Sequence, residues 1–285
     1  MKRGMLRPMR SALTMLEMIF VIIILGIVSS IGAEIIANVY ESYIVQRAQY
    51  RANAKTELAL QQIANRLRYA IPNTIYAVSS DAYIPITNIS GDAEALQWVG
   101  YDADSFEAIA CGSDTASCRK SGWSGFIDLN ASTATSLVTP GSRPEKADGI
   151  IQNLGGSGLA GSYLYFPDGF YTQVTGGSDG TGTSSGTLTV TSVAGNTIYE
   201  RYKLAWSSYA LVVEGGDLKL YYNFPPLPGS LSPYSNGSSS LLLKNVISFR
   251  FKGSEGSMRI KLCVNEKIGE GTDAIVASCK EKVVF

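Results

Sequence analysis

The chain reads as an α+β protein. A long N-terminal helix, with a transmembrane half and an amphipathic half, packs on a C-terminal antiparallel β-sheet domain. Three observations predict this. Residues 18–33 form an apolar run without a single charge. From residue 38 to 71 the chain has no Gly or Pro, and Leu60, Ile63, Leu67 and Ile71 recur at three- and four-residue intervals. The remainder breaks into short β-prone runs separated by Gly/Ser-rich stretches.

Residues 1–12 come first. They carry Lys2, Arg3, Arg7 and Arg10 and no acid. A secretory signal peptide places its small, cleavable residues after the apolar core. Here the small pair Ser11-Ala12 precedes that core, so a cut there removes only the basic leader and leaves the apolar helix in place. Residues 13–37 form the expected transmembrane helix, about the ~20 apolar residues that a bilayer requires. Basic residues ahead of it hold the N-terminus in the cytoplasm and send the rest to the other side. An acid, Glu17, lies near the start of the apolar span. An intramembrane carboxylate costs about 2.5–3.5 kcal/mol on insertion scales and is expected to have a partner.

Residues 38–71 continue the spine as an amphipathic helix. Its apolar stripe of Leu60, Ile63, Leu67 and Ile71 is flanked by Ala64 and Ala70, with Gln61, Gln62, Asn65, Arg66 and Arg68 off it, the pattern of a helix laid on a globular domain. Pro72-Asn73 ends it. Residues 72–285 form the β-rich domain. Strand-like runs are Tyr83–Ile89, Ala95–Val99, Gly125–Leu129, Ser162–Phe166, Gly186–Val193, Thr197–Leu204 and Tyr209–Val213. The clearest pattern comes last. Ile247, Phe249 and Phe251 alternate with polar residues, a turn of Gly253-Ser254-Glu255-Gly256 follows, and Met258, Ile260, Leu262 and Val264 alternate again. This is a hairpin with one buried face. Lys282–Phe285 forms a closing strand or tail. Leu154–Gly161, Gly176–Gly186 and Ser230–Ser240 read as loops. Gly176–Gly186 has no Lys or Arg and is followed by strand-like residues, unlike a phosphate cradle.

Composition narrows the chemistry. The 24 basic and 24 acidic residues balance, and loss of the four leader cations leaves 20 against 24. No basic patch interleaved with aromatics points to nucleic acid. Histidine is absent, which removes the commonest general base and metal ligand and every Ser-His or Cys-His nucleophile. No catalytic residue, metal set or cofactor motif emerges, and the chain is read as a non-enzyme. Asp102, Asp104 and Glu107 fit a solvated acidic loop better than a calcium site, since no EF-hand spacing surrounds them. Trp98, Tyr101, Trp123, Tyr163, Tyr165, Phe166, Tyr221 and Tyr222 are assigned mainly to core and sheet-face packing rather than to an adhesive groove. The four cysteines, Cys111, Cys118, Cys263 and Cys279, all follow the membrane helix, on the side predicted to be oxidising. They allow three pairings. The short loops favour Cys111–Cys118 and Cys263–Cys279.

Ala12 followed by Leu13-Thr14-Met15-Leu16-Glu17 and a long apolar helix resembles the prepilin leader of the type IV pilin and type II secretion pseudopilin superfamily. The usual pattern has Gly before the cut and Phe after it, where this chain has Ala12 and Leu13. Gly26 falls where many such helices carry a glycine, and Glu34 stands in place of a kinking proline, implying a straighter helix. Two later stretches, LALQQIANRLRYAIPN (58–73) and LLLKNVISFRF (241–251), resemble J-type minor pseudopilins and minor pilins of the mannose-sensitive haemagglutinin type. The resemblance implies cleavage between Ala12 and Leu13 and N-methylation of Leu13 by a prepilin peptidase/N-methyltransferase. It further implies an assembly role for Thr14 and Glu17, whose carboxylate meets the new amine of a neighbouring pilin-like subunit. The expected protein is a single-pass inner-membrane subunit, N-terminus cytoplasmic and domain periplasmic, that helps initiate or cap an envelope filament. The alternative is a tip adhesin or substrate-contacting module on such a filament.

Overall fold

The computed structural model describes residues 14–80, 82–89, 93–107, 121–180, 185–254, 256–268 and 274–284. Helix α1 (Met15–Leu67) runs unbroken for 53 residues through Gly26, Gly32 and Glu34, about 80 Å at ~1.5 Å per residue. Its two halves differ in burial. Nearly every residue from Met15 to Arg47 is exposed. From Ala48 onward one face is covered: Ala48, Ala52, Thr56, Ala59, Leu60, Ile63, Ala64 and Leu67 are buried. The expected stripe of Leu60, Ile63, Leu67 and Ile71 is buried at every position.

The helix ends four residues before Ile71, with Arg68 as its C-cap. The residue before a proline is biased away from helical backbone, and Ile71 precedes Pro72. Its N–H instead donates to the Val99 carbonyl at 2.8 Å, while Tyr101 N–H donates to the Tyr69 carbonyl at 2.9 Å. The chain thus leaves the helix already paired to the sheet.

After α1 come β1 (Tyr76–Ser79), β2 (Ala82–Pro85), β3 (Ala95–Gly100), α2 (Ala103–Glu107), β4 (Ser136–Thr139), α3 (Pro144–Asn153), β5 (Tyr163–Tyr165), β6 (Tyr171–Ser178), β7 (Gly186–Val190) and β8 (Lys203–Ala205). They are followed by β9 (Ser207–Glu214), β10 (Asp217–Phe224), β11 (Ser238–Leu243), β12 (Val246–Ser254), β13 (Ser257–Lys267) and β14 (Ile275–Val284). The strands form a six-stranded sheet, β11-β10-β9-β3-β1-β2, a five-stranded sheet, β4-β7-β6-β5-β8, and a three-stranded sheet, β12-β13-β14. Every named strand pair is antiparallel. The fold is α+β: a long, half-apolar helix on antiparallel sheets.

One core joins the helix to two sheets. Leu60, Ile63 and Leu67 share it with Leu96 and Trp98 of β3, Leu211 of β9, and Phe251, Ile260, Leu262 and Val264 of the C-terminal strands. A second core, under the five-stranded sheet, gathers Trp123, Ile127, Leu137, Ile151, Leu164, Val174 and Leu204 around α3. Strand β3 is buried along all six residues. Its Leu96 and Trp98 serve the helix core, and Ala95 and Val99 serve two smaller clusters. The flank of α1 is tied to the last strands by Lys55–Glu266 at 2.9 Å and Glu57–Lys280 at 2.8 Å. Ser278 Oγ donates to Asn53 Oδ1 at 2.6 Å.

Several strand boundaries differ from expectation. Tyr83–Ile89 divides into β2 and a 3-10 turn over Ile86–Asn88. Gly125–Leu129 is held by single bridges, Phe126 to Arg201 and Asp128 to Val138, rather than a ladder. Of Thr197–Leu204, only the end enters β8. The Gly176–Gly186 loop gives its first three residues to β6, and Ser230–Ser240 gives its last three to β11. The C-terminal hairpin buries the expected face, with Phe249 opposite Leu262 and Phe251 opposite Ile260. Ile247 is the exception. A bulge between Val246 and Ser248 turns Val246 inward, and Ile247 is left 53% exposed, because one inserted residue reverses the faces before it.

Cys263 and Cys279 are paired across β13 and β14 and joined by a disulfide, 16 residues apart in sequence. Cys111 and Cys118 lie outside the described residues. A crosslink closing a loop of this size stabilises by about 3 kcal/mol in the chain-entropy account. The Cys263→Ser/Cys279→Ser variant is therefore expected to unfold at lower urea than the oxidised protein. Coincident urea curves would show that the hairpin holds without the crosslink.

Candidate functional site

Two places on the molecule leave chemistry unspent, and the first is the start of α1. Thr14 is the N-cap, in extended backbone, and its Oγ1 accepts from the Glu17 backbone N–H at 3.4 Å. Thr-x-x-Glu is the capping-box spacing. The Glu17 carboxylate stands in the first turn, where the partial positive charge of the helix end favours an acid. The fold thus gives both residues a local role. Their apolar neighbours, among them Ile19, Phe20, Ile22, Ile24 and Val28, are exposed. Among the described residues, α1 is the one helix long and apolar enough to cross a membrane. Ala12 and Leu13 lie outside the described residues.

The second place is a groove of about 600 Å³ where the segment that follows α1 meets the five-stranded sheet. Five separate segments build it: Ile71-Pro72, Tyr101 with Phe106, Trp123–Phe126, Tyr165–Pro167, and Arg201–Lys203. Trp123 anchors the wall, its Nε1 donating to the Asp102 carbonyl at 2.8 Å. Its ring lies 4.7 Å from Phe106 and 5.7 Å from Tyr202 between centroids. Gly125, between Trp123 and Phe126 in the lining, has φ +74°, a backbone state that a side chain disfavours. Phe106 and Phe126 remain 43% and 42% exposed.

Lys203 Nζ sits 4.8 Å from the centre of the Tyr101 ring, in cation–π contact. Burial pushes its ammonium below the ordinary lysine range. Lys203 and Pro72 also line a second hollow of about 540 Å³, with Arg68, Tyr76, Ser257 and Val284. The two hollows therefore meet at Lys203.

The acids group elsewhere. Asp102, Asp104 and Glu107 line a third hollow with Gln62, Asn65 and Arg66, which adjoins the groove at Tyr101. Asp102 is buried, and its Oδ1 accepts from Ser105 N–H at 3.1 Å at the start of α2. Burial raises its carboxyl above the usual range. Asp104 and Glu107 are exposed. Among the described residues, no three His, Cys, Asp or Glu side chains converge as a metal set.

Of the aromatics read from the sequence, Tyr101, Trp123, Tyr165 and Phe166 come together in the first groove. Trp98 goes to the helix core, Tyr163 pairs with Tyr171, and Tyr221 packs on Tyr234. Phe106, Phe126, Arg201 and Lys203 were not foreseen. Comparison with protein-family models, with curated proteins and with solved structures found no match to this chain.

Proposed function

We propose that the chain is a pilin-like subunit, of the minor pilin or pseudopilin kind, that takes part in initiating or capping an envelope filament. One observation carries the reading. The apolar half of α1 projects unburied while the other half is locked into the domain core. A helix so divided has one half to give to lipid or to neighbouring helices and one to carry its domain. The prepilin-like residues Ala12 to Glu17 stand at the head of the free half, and the Thr14 cap starts the helix immediately after the proposed cut.

On this reading the helix inserts in the inner membrane with its N-terminus cytoplasmic, and the domain is periplasmic, where Cys263 and Cys279 oxidise. A prepilin peptidase removes residues 1–12 and methylates Leu13. The chain has no assigned catalytic role. Intact-mass and N-terminal peptide mass spectrometry of membrane-extracted protein is expected to find methyl-leucine 13 as the first residue. Met1 retained in assembled protein would overturn the proposal.

A further inference from the structure

The groove beyond α1 has its own chemistry. Its exposed rim is made of Phe106 and Phe126, side chains with nothing to offer but apolar surface. Its cations are Arg201 and Lys203, with Arg68 in the adjoining hollow. None of the three forms an ion pair among the described residues, and no Asp or Glu lines either hollow. This stands out in a chain that is mildly acidic beyond its leader. A half-buried ammonium without a counter-ion gains most from an arriving anion, because charges attract more strongly where water is scarce.

We infer that this groove binds an extended peptide segment carrying an aromatic or aliphatic side chain next to a carboxylate. The apolar side chain enters between Phe106, Phe126 and Trp123, and the carboxylate meets Lys203 and Arg201 where the two hollows join. A peptide fits better than a glycan. Sugar hydroxyls need acceptors as well as donors, and Lys and Arg only donate. The first hollow has no Asp, Asn, Glu or Gln in its lining, so the carboxylate and amide acceptors that would take sugar hydroxyls are missing from it. The inference is independent of the filament reading, since every residue of the groove lies beyond the membrane-spanning half of α1.

The test is selection from a phage-displayed library of random dodecapeptides. The target is the full-length protein in nanodiscs of zwitterionic lipid. Counter-selection uses Phe126→Ala/Lys203→Gln and, separately, Phe106→Ala/Arg201→Gln, so that misfolding of one variant does not decide the result. The expected binders carry Asp or Glu within two positions of an aromatic or leucine. A fluorescein-labelled binder is expected to lose at least about tenfold in affinity when its carboxylates are amidated, and to weaken with added salt. Recovery of basic peptides, or equal recovery on wild type and on a variant shown by near-UV circular dichroism to be folded, would overturn the inference. Binding of oligogalacturonate with no peptide enrichment would overturn it too, in favour of an acidic glycan.

Discussion

Ile63→Asp is expected to unfold the domain while leaving the apolar half of α1 helical. Ile63 is 1% exposed and shares its core with Leu60, Leu96, Trp98 and Ile260. The substitution removes a buried aliphatic side chain, worth about 1.5–3 kcal/mol. It also puts an unpaired carboxylate where no cation waits, at several kcal/mol more. The sum is of the order of a whole domain's stability, about 5–15 kcal/mol. Ile63→Val, which only trims a methylene, is expected to cost about 0.5–1.5 kcal/mol. Ile23→Asp, in the exposed half, is expected to leave domain melting unchanged. Near-UV circular dichroism of full-length protein in detergent, following Trp98 and its stacked neighbour Tyr209, reads the difference. A wild-type melt for Ile63→Asp would mean that the helix is not part of the domain core.

On the proposed filament reading, Glu17→Ala is expected to insert in the membrane as well as wild type or better, and to lose nearly all crosslinks to the subunits that the reading places beside it. The cap geometry makes this a clean variant. The bond to Thr14 comes from the backbone N–H of residue 17, not from its carboxylate, so alanine removes the charge and keeps the helix start. Thr14→Ala does the converse, costing about 1 kcal/mol of cap while keeping the acid. If the carboxylate mediates assembly by pairing in low dielectric, Glu17→Ala abolishes crosslinking and Thr14→Ala only weakens it. Equal loss in the two variants would mean that assembly needs the helix start as a whole rather than the carboxylate, and unchanged crosslinking in both would remove this end of the helix from assembly.

The parts legible in the sequence were those whose apolar pattern is complete within one short stretch of chain. Leu60, Ile63 and Leu67 announce the helix face by their spacing. Phe249 and Phe251 announce the hairpin by alternation, because their partners in β13 follow within a turn. The β9–β10 hairpin had a comparable signal that went unread: Gly215-Gly216 between apolar runs, both with positive φ, as a two-residue hairpin turn demands. Helix α3 was hidden by Gly149 at its centre and by a burial of only Pro144, Ala147 and Ile151. Its support comes from α2, β6 and β7, none of them its neighbour in the order of elements. The groove was hidden for a related reason. Its five segments are spread from Ile71 to Lys203, and nothing in the order Arg201-Tyr202-Lys203 foretells that its two cations will face rings from elsewhere.

The clamp between α1 and the last two strands constrains how the protein can be made. Asn53 meets Ser278, and Glu57 meets Lys280, across more than 220 residues of chain. Much of what covers Leu60, Ile63 and Leu67 therefore leaves the ribosome long after the helix it covers. Closing so long a loop comes late, since its entropy must be met before these contacts can form. The nascent chain must then carry a half-finished apolar stripe throughout synthesis, and a truncation just short of β14 would strand that stripe while sparing most of the sequence. Folding of this molecule is in effect gated by β14, which makes that strand the place where quality control would distinguish a finished domain from an unfinished one.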